Sequence, residues 1–496
     1  MNIDFSLLDS TIVFSYFLAM LLIGMWFYIF KKETSEEFAV ADRSLTAWPL
    51  AFSILASDIS SMGFFAIPGK SYADNWSFFV FCLSYPFAAL IVIKYFIPFY
   101  RSTNDICAYS HLNRRFGRWA SVYASICYVI TRVAYIATIL YLFSVIISAL
   151  FGLNGKWVIF ITGSAVIAYT CIGGLKAVIY SDVVQAILLL VGAVICSIML
   201  LMKNPDSISS IISTASDNSK FNLGDFDFSW ASPNFWVILI SGFLAKISEL
   251  SVHQGLVQRY YAAVTTRDAQ KSLLIVAIIF IPFVALLLFI GTELFSFYQI
   301  SGNSIPKEIL GLGNDSTLPY FIFTESPIGI KGFLLITVLA AGMSSIDTAI
   351  NGASTTIYSE IYKPFFKNNS HSMAVLYGTS IVIGVAAIGI AMLFSPEQSI
   401  LDVWFAMASV FSGGMFGLFA LGLISKKSTN STAIISVATA TLLVAWIGIS
   451  SYFSNMPEHL KSPFHPFLAR FIGTATVLFL GLFLTSLFNK KVKKVT

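Results

Sequence analysis

Charged side chains are scarce in this sequence. Asp, Glu, Lys and Arg make up 11% of its 496 residues, whereas soluble domains carry roughly 25%. Hydrophobic residues account for 57%, and the mean hydropathy is +0.81. A composition this apolar excludes an ordinary soluble domain and a basic nucleic-acid-binding surface. It predicts an all-α polytopic membrane protein that lies in the lipid bilayer and has no nucleic acid partner.

Cysteine is also rare, and the sequence lacks the motifs that would give it a chemical role. The five cysteines include no CxxC pair and no Cys/His spacing, which argues against a zinc or redox motif. Most lie in apolar runs and are interpreted as small buried hydrophobic residues. No polar stretch is long enough for a soluble catalytic domain, and no nucleophile–base pair supports a membrane enzyme. We therefore expect no enzymatic activity.

Long hydrophobic runs predict about thirteen transmembrane helices. Each run is long enough to cross about 30 Å of hydrocarbon at about 1.5 Å per residue. The predicted spans are residues 11–30, 46–69, 76–100, 119–151, 157–174, 183–203, 234–256, 272–297, 332–352, 373–395, 401–425, 432–453 and 466–488.

Positive charges are unevenly divided between the two sides of this arrangement. One set of connections carries nineteen lysines and arginines, and the other carries seven. By the positive-inside rule the richer set is cytoplasmic. This predicts a multi-pass protein of the cell (inner) membrane with its N-terminus outside and its C-terminus in the cytoplasm. The long polar connections 204–233 and 298–331 then lie outside and are candidate lids.

The stretch 340–362 carries the densest group of polar residues inside a predicted span. Ser344, Asp347 and Thr348 are spaced i, i+3 and i+4, so they share one helix face. An ionisable group inside a span costs roughly 3 kcal/mol and is usually functional. Carboxylate and hydroxyl oxygens together suit a small hard cation. The alternative is that the hydroxyls bond back to their own helix and Asp347 lies at a wet helix end.

The second predicted span also carries a carboxylate, within the segment ILASDISSMGFFAIPGK. Asp58, Ser60 and Ser61 interrupt its apolar pattern, and Gly63 and Pro68 weaken the helix further. Such a segment favours a local break, which frees backbone carbonyls to bind an ion or a solute.

Two basic residues lie inside other spans. Arg132 should face a cavity or a carboxylate, or else lock two helices together through a buried pair. Lys246 is three residues before Glu249 and can pair with it on one helix face, or with Asp58 across the bundle. Phe243 is either a wall against which a solute stacks or part of ordinary packing.

Two more polar residues, Asp182 and His253, are predicted to have structural roles. Asp182 is predicted at the start of the sixth span, where a carboxylate complements the helix dipole. His253 is expected near the cytoplasmic boundary as a satisfied polar residue rather than a proton relay.

The segment 169–177, YTCIGGLKA, resembles the signature of the sodium/solute symporter family. It is followed by VIYSDVVQ, and the segments ASDISS, VQRYY (257–261) and SSIDT extend the resemblance over nearly the whole chain. The resemblance implies a sodium-coupled secondary active symporter that imports a small polar organic solute by alternating access. Na⁺ would be the coupling ion, and a monomer would be the functional unit.

The family resemblance also implies a five-plus-five inverted-repeat core in which the first helix of each repeat is broken. The two broken helices would hold Asp58 and residues 243–246. The implied parts are 1–45 (an extra helix and the first cytoplasmic loop), 46–203 (first repeat), 204–233 (an extracellular loop), 234–425 (second repeat, with the loop 298–331) and 426–496 (two helices and a basic cytoplasmic tail).

The resemblance implies two ion sites. The main sodium site would use oxygens of Ala56, Ile59, Ala341, Ser344 and Ser345. A second site, found in some members, would use Asp182, Ser344, Asp347 and Thr348. Asp347 stands where a serine is common in relatives, so a second sodium or a proton is expected to neutralise the two carboxylates.

Among these symporters, the chain resembles bacterial sialic acid symporters. The positions that would surround the solute are Asp58, Ser60, Gly63, Phe78, Cys82, Arg132, Phe243 and Lys246.

The chain departs from the sialic acid pattern at four of these positions. Asp58 and Gly63 replace hydroxyl residues, Cys82 replaces an amide, and Lys246 adds a charge. A carboxylate at position 58 would repel a sugar acid unless Lys246 or Arg132 neutralises it. The solute is therefore a sugar acid such as sialic acid, or a neutral or amino sugar. A sensor or channel on the same fold is the alternative from a different class.

Overall fold

The computed structural model describes residues 5–30, 34–103, 105–204, 207–302, 305–366, 371–394, 414–452 and 457–492. Its helices, numbered in chain order, are α1 (Leu7–Phe30), α2 (Ser35–Val40), α3 (Ala47–Asp58), α4 (Ser61–Ala73), α5 (Ser77–Leu83), α6 (Tyr85–Ile91), α7 (Ile97–Arg101), α8 (Ser110–Phe116), α9 (Arg118–Phe151), α10 (Gly155–Lys203), α11 (Ile208–Asp217), α12 (Phe235–Val252), α13 (Gln254–Ala262), α14 (Thr266–Ser301), α15 (Lys307–Leu310), α16 (Thr317–Glu325), α17 (Ile330–Thr356), α18 (Ser372–Ala391), α19 (Gly414–Ile424), α20 (Asn430–Tyr452) and α21 (Ala469–Val492). Short 3-10 turns lie at Ala41–Arg43, Asn314–Ser316, Glu458–Leu460 and Pro466–Leu468, and π-helical segments lie at Val92–Phe96 and Ile357–Tyr362.

The prediction of an all-α polytopic membrane protein is confirmed. Within the described ranges, ten helices are long and apolar enough to cross a membrane, and a bent pair makes up to eleven. Two shorter apolar helices, Gly155–Ala168 and Gly414–Ile424, lie where the spans 157–174 and 401–425 were predicted. The exact number of thirteen stays a prediction, because most of the span 401–425 lies outside the described residues.

The first predicted break lies where the polar residues interrupt the second span. α3 ends at Asp58 and α4 begins at Ser61, and Ala47–Asp58 and Gly63–Ala73 meet at 52°. Ile59 (φ −99°, ψ 84°) and Ser60 (φ −72°, ψ 170°) leave the helical conformation. The Ser60 hydroxyl then accepts a hydrogen bond from the backbone N–H of Gly63 and caps the second half.

The second break follows the polar segment 243–246 on the same helix. α12 runs unbroken through residues 243–246 and ends at Val252. His253 (φ −72°, ψ 111°) is extended, and α13 begins at Gln254. The helix that holds residues 243–246 is therefore broken, about two helical turns after them.

The fifth and sixth predicted spans form one kinked element, α10, instead of two helices joined by a loop. The kink is at Gly174, whose positive φ of 63° favours glycine, and a Cβ there would lie 3.2 Å from the backbone of Phe38. Asp182 is consequently eight residues into the second half of α10 and fully buried. The expectation that it caps a helix start is wrong, because the helix has already begun.

α17, which carries the predicted ion ligands, is the most deeply buried of the membrane-spanning helices. Of its most apolar stretch, 89% is inside the protein, against 67% or less for the others. Its N-terminal end is fixed by α1, where Asp9 Oδ1 accepts hydrogen bonds from the N–H groups of Gly329 and Gly332, each at 2.8 Å. A carboxylate at this position also complements the helix dipole.

Candidate functional site

Both helix breaks face one cavity of about 240 Å³ in the middle of the bundle. Asp58, Ile59 and Ser60 reach it from the first break, and His253 reaches it from the second. Helices α4, α5, α9, α12, α14 and α17 form most of the remaining walls. The breaks matter because they place polar groups in a region where continuous helices would present only apolar side chains.

Seven of the eight predicted solute positions line this cavity. They are Asp58, Ser60, Gly63, Phe78, Cys82, Arg132 and Lys246.

Phe243 is not among the lining residues and instead packs against the hydrophobic core. Its neighbours Ser241 and Ala245 face the cavities on this side of α12. At about 100° per residue, Phe243 lies roughly 160–200° around the helix from both. The interpretation of Phe243 as ordinary packing is therefore the one that the structure supports.

Lys246 forms both of the ion pairs considered from the sequence. Its ammonium lies 2.9 Å from Asp58 Oδ1 and 2.9 Å from Glu249 Oε2. The Asp58 side chain is fully buried, whereas 35% of the Glu249 side chain is exposed. The carboxylate at position 58 is thus neutralised within the protein, and the remaining negative charge of the group is on Glu249.

Arg132 reaches the cavity from α9. One guanidinium nitrogen lies 2.6 Å from His253 Nε2. Because arginine can only donate hydrogen bonds, the imidazole must accept and is uncharged. The guanidinium also lies 5.0 Å from the ring centre of Tyr135. These contacts hold the guanidinium at the cavity wall.

His253 was therefore placed wrongly by the sequence interpretation, which put it near the cytoplasmic boundary. It lies at the second break and lines the cavity because the end of α12 turns the backbone into the bundle there.

The main predicted sodium ligands come together between the first break and α17. The Ser344 hydroxyl lies 2.9 Å from the carbonyl oxygen of Ala56 and 3.0 Å from that of Ala341. The Ser345 hydroxyl lies 3.3 Å from the same Ala341 oxygen, and Ile59 directly follows the end of α3. Neutral oxygens at this spacing are the donor set that a small hard cation takes. The hydroxyls also bond back to their own helix, so both interpretations made from the sequence describe part of the contacts.

The second predicted ion site contains a basic residue that was not foreseen. Arg259, fully buried on α13, donates to Asp182 Oδ2 at 2.9 Å and to Thr348 Oγ1 at 2.6 Å. Asp182 also accepts from the Ser53 hydroxyl at 2.5 Å. Asp347 is fully buried on α17, close enough to Tyr16 of α1 to interact with its hydroxyl electrostatically.

The sequence held one signal for Arg259. It lies in the VQRYY segment, directly after the second predicted broken helix, but the span boundaries placed it in a cytoplasmic connection. Two more basic residues of the cavity wall, Lys70 and Arg470, were also missed.

The sequence profile of the "Sodium:solute symporter family" matches residues 38–439. The chain belongs to this family. It is 30% identical over 451 residues to the sodium/sialic acid symporter SiaT of Proteus mirabilis, with 89% of each chain covered. It is 26% identical over 455 residues to the sodium/sialic acid symporter NanT of Aliivibrio fischeri, covering 90% of this chain and 88% of that one.

Solved structures agree with the sequence comparisons. A substrate-bound, outward-open Na⁺-coupled sialic acid symporter superposes with a TM-score of 0.89 at 27% identity, and 98% of each chain is covered. MhsT, solved with L-phenylalanine, is similar in fold alone, with a TM-score of 0.57 at 15% identity. The resemblance found in the sequence is confirmed: this sodium:solute symporter uses Na⁺ as its coupling ion and carries a small solute.

Proposed function

We propose that this symporter imports a sugar acid, with sialic acid as the first candidate, and that inward movement of sodium drives the import. The observation that carries the proposal is the excess of positive charge in the cavity. Four basic side chains line it against two acidic ones, a difference of two charges with His253 neutral. They are Lys70, Arg132, Lys246 and Arg470 against Asp58 and Glu249.

The four departures from the sialic acid pattern are compatible with an anionic solute. Asp58 is held by Lys246, so the added carboxylate and the added ammonium offset one another. Gly63 leaves space, because a Cβ there would meet no atom closer than 3.8 Å. Arg132 presents a guanidinium, whose planar donors fit a carboxylate in bidentate geometry. The specificity of this site would then come from Arg132.

Sodium binding and solute binding share the first helix break. The carbonyl of Ala56 belongs to the proposed sodium site, and Asp58 and Ser60 line the solute cavity two and four residues later. An ion between α3 and α17 would fix the backbone that shapes the cavity, which couples the two ligands. Each sodium that enters down a potential of about 100 mV supplies about 2.3 kcal/mol.

The arrangement in the membrane is part of the same proposal. The bias of nineteen against seven basic residues supports an inner-membrane protein with its N-terminus outside and its C-terminus in the cytoplasm. We take the monomer as the functional unit and the ranges 46–203 and 234–425 as the two repeats, of which residues 395–413 lie outside the described part. We assign no catalytic step to the chain.

Glu249 supports a second candidate solute. Its carboxylate is partly exposed to the cavity and belongs to a group with Lys246 and Asp58 that carries one net negative charge. Such a group would attract the ammonium of an amino sugar. This candidate is weaker because Arg132 and Arg470 would oppose a cationic solute.

Uptake by the purified protein in proteoliposomes tests the proposal. Labelled N-acetylneuraminic acid is offered with and without an inward sodium gradient, and sugar acids, neutral sugars and amino sugars compete with it. We expect sodium-driven uptake that sugar acids alone inhibit strongly. Sodium-driven uptake of an amino sugar, with no uptake of the acid, would favour the second candidate.

The sodium site is tested by Ser345→Ala. Loss of one hydroxyl ligand is expected to raise the sodium concentration for half-maximal uptake about tenfold, equivalent to about 1.4 kcal/mol, while solute selectivity is kept. Ser354→Ala is the matched control, because Ser354 is buried on the same helix but bonds only to the carbonyl of Asn351. Equal sodium activation in the two variants would remove Ser345 from the site.

A further inference from the structure

Arg470 belongs to a helix outside both proposed repeats, yet it lines the solute cavity. It is the second residue of α21, the last helix of the chain. The beginning of this helix and the preceding turn Pro466–Leu468 both pack against α12. The backbone N–H of His465 also donates to the carbonyl of Trp230 at 3.0 Å. The contacts fix the start of α21 against the pathway.

Arg470 also lines a second cavity of about 350 Å³, next to the first. This outer cavity lies beside the end of α4, the beginning of α12 and the connection 204–233, which is the predicted extracellular side. The two cavities share the residues Lys70, Phe78, Phe81, Ala245 and Arg470. Arg470 therefore stands at the junction between the outer cavity and the solute cavity.

A second basic group lies at this junction, and a third lies further in. Lys70 lines both cavities and Arg132 lines the solute cavity alone, whereas the outer cavity has one acidic residue, Asp74. Arg470 is close enough to Arg132 and Glu249 to interact with both electrostatically. Burial lowers the pKa of His465, and the nearby Lys70 lowers it further, so that ring adds no positive charge at neutral pH.

An anion that passes from the outer cavity to Arg132 must therefore pass Arg470. Charged clefts with low-dielectric walls concentrate ligands of opposite charge. A guanidinium adds directional, bidentate recognition of a carboxylate, which a lysine in the same place would supply only as a point charge.

We propose that Arg470 is a specificity-determining residue, which binds the carboxylate of the solute at the junction of the two cavities. The terminal helix α21 would thereby contribute to selectivity, although it lies outside the repeats that alternate. This inference rests on the proposed function, namely that the solute is a sugar acid.

Uptake of labelled N-acetylneuraminic acid by Arg470→Gln, Arg470→Lys and Lys461→Gln tests the inference. Lys461 is an exposed residue of the connection before α21 and lines neither cavity. Lys461→Gln therefore removes the same single positive charge as Arg470→Gln, but away from the cavities. We expect Arg470→Gln to raise KM about tenfold with little change in kcat, Arg470→Lys to restore part of the loss, and Lys461→Gln to behave like the wild type.

Selectivity gives a second readout that a purely structural role would not change. N-acetylmannosamine has no carboxylate, so its affinity as a competitor of uptake should be the same in Arg470→Gln as in the wild type. The preference of the variant for the acid over this neutral sugar should then fall about tenfold. Stabilisation of each variant by sodium checks that it is folded. An unchanged KM in folded Arg470→Gln, or equal loss of the acid and the neutral sugar, overturns the inference. Absence of acid uptake by the wild type overturns the proposed function itself, and the inference with it.

Discussion

Among single residues, Lys246 determines the charge balance of the solute cavity. The ammonium lies between two carboxylates, and the Asp58 side chain is fully buried. Removing one member of a buried ion pair leaves an uncompensated charge that costs about 3–5 kcal/mol. Asp58 and Lys246 therefore have to be exchanged together if the site is to accept a different solute.

Substitution of Lys246 tests this coupling. Lys246→Met leaves Asp58 and Glu249 facing one another, and we expect a loss of about 3 kcal/mol of stability together with loss of uptake. In Lys246→Met/Asp58→Asn the stability should largely return, because the buried charge is gone. Thermal unfolding in detergent, with Asp58→Asn as the single-variant control, gives the coupling energy. Additive effects of the two substitutions would show that the pair contributes nothing.

At the level of helices, the two breaks differ in which residues stabilise them. The first is local: Ser60 caps α4, and Gly63 follows within one turn. The second has an extended His253, and the N–H of Gly255 at the start of α13 donates to the hydroxyl of Tyr128 on α9 at 3.0 Å. The first break could be located from the sequence because its cap and its helix-weakening residues are adjacent. For the second, the sequence predicted a broken helix, but the position of the break at His253 depends in part on the distant Tyr128.

The hydrogen bonds between Asp9 and the beginning of α17 lead to a prediction about this helix. Asp9→Ala removes the acceptor for the N–H groups of Gly329 and Gly332, and we expect about 1–2 kcal/mol of destabilisation. Because α17 carries three of the proposed sodium ligands, the stabilisation that sodium provides should also decrease. Thermal unfolding with and without sodium measures both effects. Asp227→Ala, in an exposed loop, is the control, and an equal shift in the two variants would contradict the anchoring role.

For the whole molecule, the sodium ligands named from the sequence stay a prediction, whereas the fold class is confirmed and seven of the eight expected solute positions line the cavity. These features depend on hydrophobic runs, on polar residues inside them and on family motifs. Arg259 and Arg470 could not be assigned, since each acts on residues far away in the chain: Arg259 on Asp182 and Arg470 on the cavity formed by α5, α9 and α12. The sequence alone does not show whether a basic side chain near the end of a span faces water or points into the protein.

Labelling of introduced cysteines tests the topology of the whole chain. Cys82, Cys107, Cys127 and Cys196 are buried, so background reaction should be low. Asn218→Cys, in the connection 204–233, should react with a membrane-impermeant maleimide in intact cells, and Lys427→Cys should react only after permeabilisation. The unsubstituted chain is the control, and the reverse pattern would invert the orientation.

The surplus of two positive charges in the cavity has a consequence for the medium in which the protein is assayed. In low-dielectric surroundings such a surplus attracts counter-ions. Between turnovers, the small inorganic anions of the buffer will occupy the space near Arg132 and Arg470, and the solute has to displace them. Chloride would thus be a weak competitive inhibitor. The KM for a sugar acid should therefore be lower when a bulky sulfonate replaces chloride, whereas the KM for a neutral sugar should be the same in both media.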